Sequence, residues 1–276
     1  MRVPSRRAVS AMLALVRWAN ALIAAGGVLV GAWWAGWGNP SAIALAALAA
    51  IGLTAAANTW NDIADVDIDR AAHPERPLVT HELSLDGADR IAIVAATGAV
   101  VCASNVSVVL GVCTVAVLLV MRLYSPWLKR AGLVGNLVVA VLASLPFVYG
   151  SYAAGSWARG VPLVLIAIPL HLARELAKDL DDRDADRGAR RTLPIAASVQ
   201  LARIAIIVAL AATGVALAFG LAPLVKSQTV LMLALAPAML ALAFATACAL
   251  RGRPGSPAFF KLAMVCAMAA LLVARA

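Results

Sequence analysis

The sequence predicts an all-α polytopic membrane protein of nine transmembrane helices, and three observations carry that prediction. Apolar residues make up 63% of the 276-residue chain and the mean hydropathy is +0.91, far too hydrophobic for a soluble domain. Nine apolar segments recur along the chain as candidate spans. The basic residues also segregate. With the N-terminus and the connections after spans two, four, six and eight on one side, 20 of the 23 Lys and Arg collect there, leaving Arg159, Lys226 and Arg275 opposite. By the positive-inside rule that side is the cytoplasm. The expectation is one domain, 1–276, multi-pass in the inner (plasma) membrane, with its N-terminus in the cytoplasm.

Taken in order, MRVPSRRAVSAML at the N-terminus has a basic head like a signal peptide. The apolar run that follows reaches about Trp37 without a convincing cleavage site, so it is expected as a retained span, residues 12–36. Arg17 and Asn20 lie early in it, and polar groups inside a span are costly unless they line a cavity or find partners. The other spans are expected at 41–60, 89–105, 106–122, 132–153, 161–178, 199–222, 228–249 and 257–275. Ser104, Asn105 and Ser107 separate the third from the fourth. Fusing the two would make one over-long span and move Arg122, Lys129 and Arg130 to the wrong face.

The chemistry gathers at the ends of spans two and six. Asn61 to Pro77 reads NDIADVDIDRAAHPERP and holds Asp62, Asp65, Asp67 and Asp69, in a chain only 13% charged. On a helix Asn61, Asp65 and Asp69 recur every four residues, so their side chains stack on one face roughly 6 Å apart. Carboxylates so close repel one another, more so at low dielectric, and require cations. All-oxygen ligands point to Mg²⁺, which is commonly held jointly by protein carboxylates and substrate phosphates. A second row lies between Arg174 and Pro194, where Asp179, Asp182 and Asp186 share a face. Both rows emerge on the cytoplasmic side, so together they could clamp one diphosphate through metal ions. The candidate metal ligands are Asn61, Asp62, Asp65, Asp69, Asp179, Asp182 and Asp186.

Cations surround the rows: Arg70, Arg76, Lys129, Arg174, Lys178 and Arg187. Arginine grips phosphate oxygens with a fork and lysine acts as a point charge. Arg174 and Lys178, four apart with His171 and Glu175 nearby, give an otherwise apolar helix a polar face and suggest a lined cavity. Trp60 and Trp127 could lie over an isoprenoid, or anchor at the interface with Trp33, Trp34 and Trp37. His73 and His81 have no zinc spacing. Cys102, Cys113, Cys248 and Cys266 sit unpaired in apolar segments. The net charge of +9 and pI near 10 suit topology and anionic lipid rather than nucleic acid.

The first row resembles the NDxxDxxxD of the UbiA-type intramembrane prenyltransferases, matched at Asn61, Asp62, Asp65 and Asp69, and the second resembles their DxxxD, matched at Asp182 and Asp186. Asp69 to Pro77, YSPWLK at Tyr124 to Lys129, and RELAKDLDD followed by TLPI at Thr192 to Ile195 are similar to the digeranylgeranylglyceryl phosphate synthase branch. The likeness is one of motif over spans one to six and of hydropathy beyond. It implies a helix bundle around a central cavity with a cytoplasmic cap, and a Mg²⁺-dependent prenyl transfer from a polyprenyl diphosphate to a lipophilic acceptor. Geranylgeranylglyceryl phosphate is the first acceptor to expect, ahead of an aromatic acceptor or a terpene cyclisation. Asp65, Asp69, Asp182, Asp186 and Lys178 are then expected to act in catalysis, with Arg70, Arg76, Tyr124, Lys129, Arg174, Lys178 and Asn20 holding substrate. An ion transporter is disfavoured, because the ionisable groups cluster at one face instead of running into the middle of several spans.

Overall fold

The structure, a computed structural model, describes residues 6–124, 132–188 and 191–274, without the side chains of 6–8, 71, 72, 123 and 124. The described residues are helical almost throughout, in the order α1 (Arg6–Val16), α2 (Trp18–Ala35), α3 (Pro40–Ala72), α4 (Leu85–Val106), α5 (Val108–Tyr124), α6 (Leu133–Ala153), α7 (Val161–Asp181), α8 (Arg183–Asp186), α9 (Leu193–Ala196), α10 (Val199–Val215), α11 (Gln228–Arg251) and α12 (Ser256–Ala274). A π-helical turn, Ala216–Leu221, extends α10. Eight of these segments are long and apolar enough to cross a membrane. The fourth expected span, α5, is the one left out: it has 17 residues and reaches about 26 Å at 1.5 Å per residue, short of a ~30 Å hydrocarbon core.

Two boundaries differ from expectation and a third falls where expected, each for a local reason. The first span is not continuous: Arg17 adopts a left-handed conformation (φ 51°, ψ 58°) between α1 and α2. The break lets its guanidinium reach Asp62, and the Asn58 amide donates to the Val16 carbonyl left open at the end of α1. The second span runs on to Ala72, 33 residues in all. Hydropathy marks where lipid contact ends, but the helix continues because its carboxylates find partners. The break between α4 and α5 falls at Ser107, whose hydroxyl accepts from Leu110 N–H and donates to the Tyr152 hydroxyl.

Small residues bring the helices close, as expected where lipid offers no hydrophobic drive for association. On α4, Ala96, Ala99 and Ala103 share one buried cluster with Ala46, Ala49, Ala50 and Ala56 of α3. Large residues such as Val94, Val101, Leu233 and Leu240 face outward, where lipid would cover them. The helices α2, α3, α6, α7 and α12 surround a central cavity, with α12 packed on α2 and α7. Trp34, expected as an interfacial anchor, is instead buried and donates to the Leu271 carbonyl of α12.

The tightest contact is between α2 and α6. A Cβ added at Gly150 would meet the Val28 carbonyl oxygen at 1.8 Å, and one at Gly31 would meet the Phe147 carbonyl oxygen at 2.0 Å. Both obstacles are backbone, which cannot turn aside. Gly150→Ala should therefore destabilise the detergent-solubilised protein by about 1–3 kcal/mol or more, as overpacking does. Thermal unfolding followed by circular dichroism checks it, with Gly214→Ala, at a position with open space, as the control that should leave the midpoint unchanged.

Candidate active site

The first row is buried. Asp62, Asp65 and Asp69 are 4%, 5% and 3% exposed, and two arginines from outside the helix meet Asp62 and Asp69. Arg17 donates to Asp62 Oδ1 at 2.5 Å, Arg76 lies 3.4 Å from the same oxygen, and Arg76 also donates to Asp69 in a short contact. Arg76 is carried by the connection after α3, which folds back through turns at Arg76 to Thr80. Leu78, buried against Leu15 and Ala88, pins that connection. Asn61 donates to Asp65 at 3.2 Å.

Arg70, expected to hold substrate, does not join this group. It lies on the outer face of α3, largely exposed, 3.5 Å from the equally exposed Asp67, because its position three residues after Asp67 puts the two side by side. Tyr124 and Lys129 lie outside the described side chains and residues.

The second row is divided among three tasks. Asp179, at the end of α7, accepts from the Asn136 amide of α6 at 2.7 Å. Asp181 accepts from Gly255 N–H at 2.8 Å and from the Ser256 hydroxyl at 3.4 Å, holding the start of α12. Asp182 caps α7 and Asp186 closes α8, buried at 2% exposure. Since α8 packs against α3, the two rows meet, as their common side required. Among the described residues no three of these carboxylates gather into a ready-made metal cage. The donor set is nonetheless all oxygen and buried beside a polar cavity, which suits Mg²⁺, an ion usually completed by waters and substrate phosphates.

The cavity between the helices holds about 310 Å³. One end is charged: Arg17, Asn20, Asn61, Arg174, Glu175, Lys178 and Lys261 line it. The other end is apolar, walled by Phe147, Leu163, Ile166, Met264, Met268 and Leu271. Arg174 is paired with Glu175 in a short contact, while Lys178 has no hydrogen bond or ion pair among the described residues. Asn20, Arg174 and Lys178, expected to hold substrate, thus all line the cavity. Asn58, Arg17 and Lys261 line it too, beyond the site residues expected from the sequence. The spacing Thr54, Asn58, Asn61, Asp65 was the available signal for Asn58, since it continues the row's face backwards into the span. Trp60 stays out of the cavity: its indole donates to Asp89 and the Arg122 guanidinium lies 5.6 Å over its ring.

A family model described as the UbiA prenyltransferase family matches residues 22–270. The chain is 34% identical over 196 residues, 70% of each chain, to a digeranylgeranylglyceryl phosphate synthase from Methanoculleus marisnigri. The apo structure of a UbiA homologue from Aeropyrum pernix superposes with a TM-score of 0.79 at 20% identity, covering 92% of this chain and 96% of that one. A UbiA homologue from Archaeoglobus fulgidus bound to DMAPP and Mg²⁺ superposes with a TM-score of 0.68 at 16% identity, covering 93% and 98%.

Removing Arg76 would leave Asp69 buried without its cation. Arg76→Met should cost about 3–5 kcal/mol, as breaking a buried pair does, and adding Asp69→Asn should restore most of it. Urea unfolding of the four proteins of that cycle, in chelator and detergent, measures the coupling directly.

Proposed function

The chain belongs to the UbiA prenyltransferase family, a multi-pass membrane enzyme that transfers prenyl groups, and on that premise we propose that it alkylates geranylgeranylglyceryl phosphate with a polyprenyl group taken from its diphosphate. One observation carries this reading: a single cavity joins a cationic end, beside the buried carboxylates of α3 and the partly buried second row, to a long apolar body. That shape suits a ligand with an anionic head and a hydrocarbon tail. The product named for the Methanoculleus marisnigri relative, a glyceryl phosphate with two geranylgeranyl groups, points to the acceptor.

Asp62, Asp65 and Asp69 of α3, with Asp179, Asp182 and Asp186 of the second row, would hold Mg²⁺, which when bound offsets the charge on diphosphate oxygens. The chain's own groups do the rest. Lys178 stands one residue before Asp179 and is free to take a diphosphate oxygen, and Arg174, held by Glu175, faces the same space. As the diphosphate leaves, negative charge grows on its oxygens, and cations already in place stabilise it there. The apolar walls keep the prenyl chain extended and exclude water. As the carbon–oxygen bond to the diphosphate breaks, the allylic carbon is therefore captured by the acceptor hydroxyl, whose proton leaves with the released diphosphate, and is not hydrolysed. The basic bias of 20 to 3 supports a plasma-membrane protein with its N-terminus and site on the cytoplasmic face.

The test is a radiolabelled geranylgeranyl diphosphate assay in detergent with Mg²⁺, offering geranylgeranylglyceryl phosphate, 4-hydroxybenzoate or a naphthoate. Product with the glyceryl phosphate alone supports the proposal. Product with an aromatic acid moves the enzyme to that acceptor, and a hydrocarbon with no adduct marks a cyclase. Asp65→Ala and Asp182→Ala should each lower turnover about 100-fold or more while the helical circular dichroism spectrum is kept. Wild-type turnover in either variant would refute the shared clamp.

A further inference from the structure

The charged end of the cavity carries more cation than one diphosphate site uses. Four basic residues line it, Arg17, Arg174, Lys178 and Lys261, against the single acid Glu175. Arg17 is taken by Asp62 and Arg174 by Glu175. Lys178 and Lys261 remain, neither with a hydrogen bond or ion pair among the described residues. Both lie in the field of Glu175, but an ammonium with no hydrogen-bond or ion-pair partner within a membrane bundle is costly and marks a place where an anion is expected.

The two lysines stand on different walls. Lys178 belongs to α7, next to the second row. Lys261 belongs to α12, which carries no carboxylate of either row and packs against α2 and α7. Its placement is fixed: Asp181 holds the first turn of α12 through Gly255 and Ser256, and Phe260, fully buried, packs the neighbouring face into the core around α7 and α10. That leaves the Lys261 side chain turned to the cavity, near Arg174, Arg17 and Lys178.

We propose that Lys261 is a specificity-determining residue, the centre of a second anion subsite that receives the phosphate monoester of the acceptor while the diphosphate is held at the carboxylate rows. The inference rests on the acceptor chemistry proposed above, in which both substrates are anions and need separate cations. A compact ammonium on a flexible stem acts as a point charge and can follow a terminal phosphate as it turns about its ester bond. Binding the head at α12 would also keep two negative charges from sharing one place.

The experiment compares the wild type with Lys261→Met and Lys261→Arg in the purified full chain, using geranylgeranyl diphosphate with geranylgeranylglyceryl phosphate and, separately, uncharged geranylgeranylglycerol. Loss of one charge-assisted contact should raise the KM for the phosphorylated acceptor about 10–100-fold in Lys261→Met. The KM for the diphosphate should stay within about twofold, and Lys261→Arg should recover most of the loss. Discrimination between the phosphorylated and uncharged acceptors should shrink in Lys261→Met by the same factor. An unchanged acceptor KM, or an equal rise in both KM values, overturns the role of Lys261 and leaves the proposed function standing. No wild-type product with the glyceryl phosphate overturns the proposed function itself, and Lys261 with it.

Discussion

Three carboxylates buried on one helix, at the edge of a bilayer, are the constraint the rest of this fold answers to. Removing an ionised carboxylate from water costs several kcal/mol, recovered only with a well-placed cation. No basic residue on the cavity face of α3 is spaced to do this for Asp62, Asp65 and Asp69. The cations arrive from outside instead, Arg17 from before α3 and Arg76 from after it. The left-handed turn at Arg17 and the folded-back connection bearing Arg76 follow from that need. So does the position of α1, which is bound to α3 through Arg17 and through the Asn58 amide.

Much of this was legible in the sequence, because bilayer thickness and helical periodicity act on residues close together. Segments of sustained hydropathy located the membrane helices, and the four-residue spacing of Asn61, Asp65 and Asp69 put them on one face. What was missed depends on contacts between distant residues. An arginine carries no local signal for a left-handed backbone, so the break at Arg17 shows only once Asp62 lies across from it. Arg70 and Arg76 look alike as bases following an acidic row. One shares the outward face of α3 with Asp67, and the other is steered inward by a loop whose path is set by buried Leu78. Lys261 registered only as a charge near a span end. Its direction depends on the rotation of α12, which Asp181 fixes from 75 positions earlier in the chain.

The second acidic run also has structural work to do. Asp179 accepts from Asn136 of α6, and Asp181, between Asp179 and Asp182 in the chain, is a clamp on the start of α12. The run thereby joins the wall that carries Asn136 to the wall that carries Lys261. The cavity between them keeps its width because α2 and α6 touch backbone to backbone at Gly31 and Gly150.

The connections between helices are unequal at the two ends of the bundle. At one end they are short: residues 36–39 join α2 to α3, the single Ser107 joins α4 to α5, 154–160 join α6 to α7 and 225–227 lead into α11. At the other end lie the folded loop of 73–84 and the stretch bearing α8 and α9. A soluble protease added to sealed vesicles would find chain to cut almost wholly from one direction. Inserted tags or antibody epitopes meet the same asymmetry. The longer loops lie at the end that carries Asp62, Asp69 and Asp186, so a reporter placed there sits beside those carboxylates, whereas the other end offers only short connections.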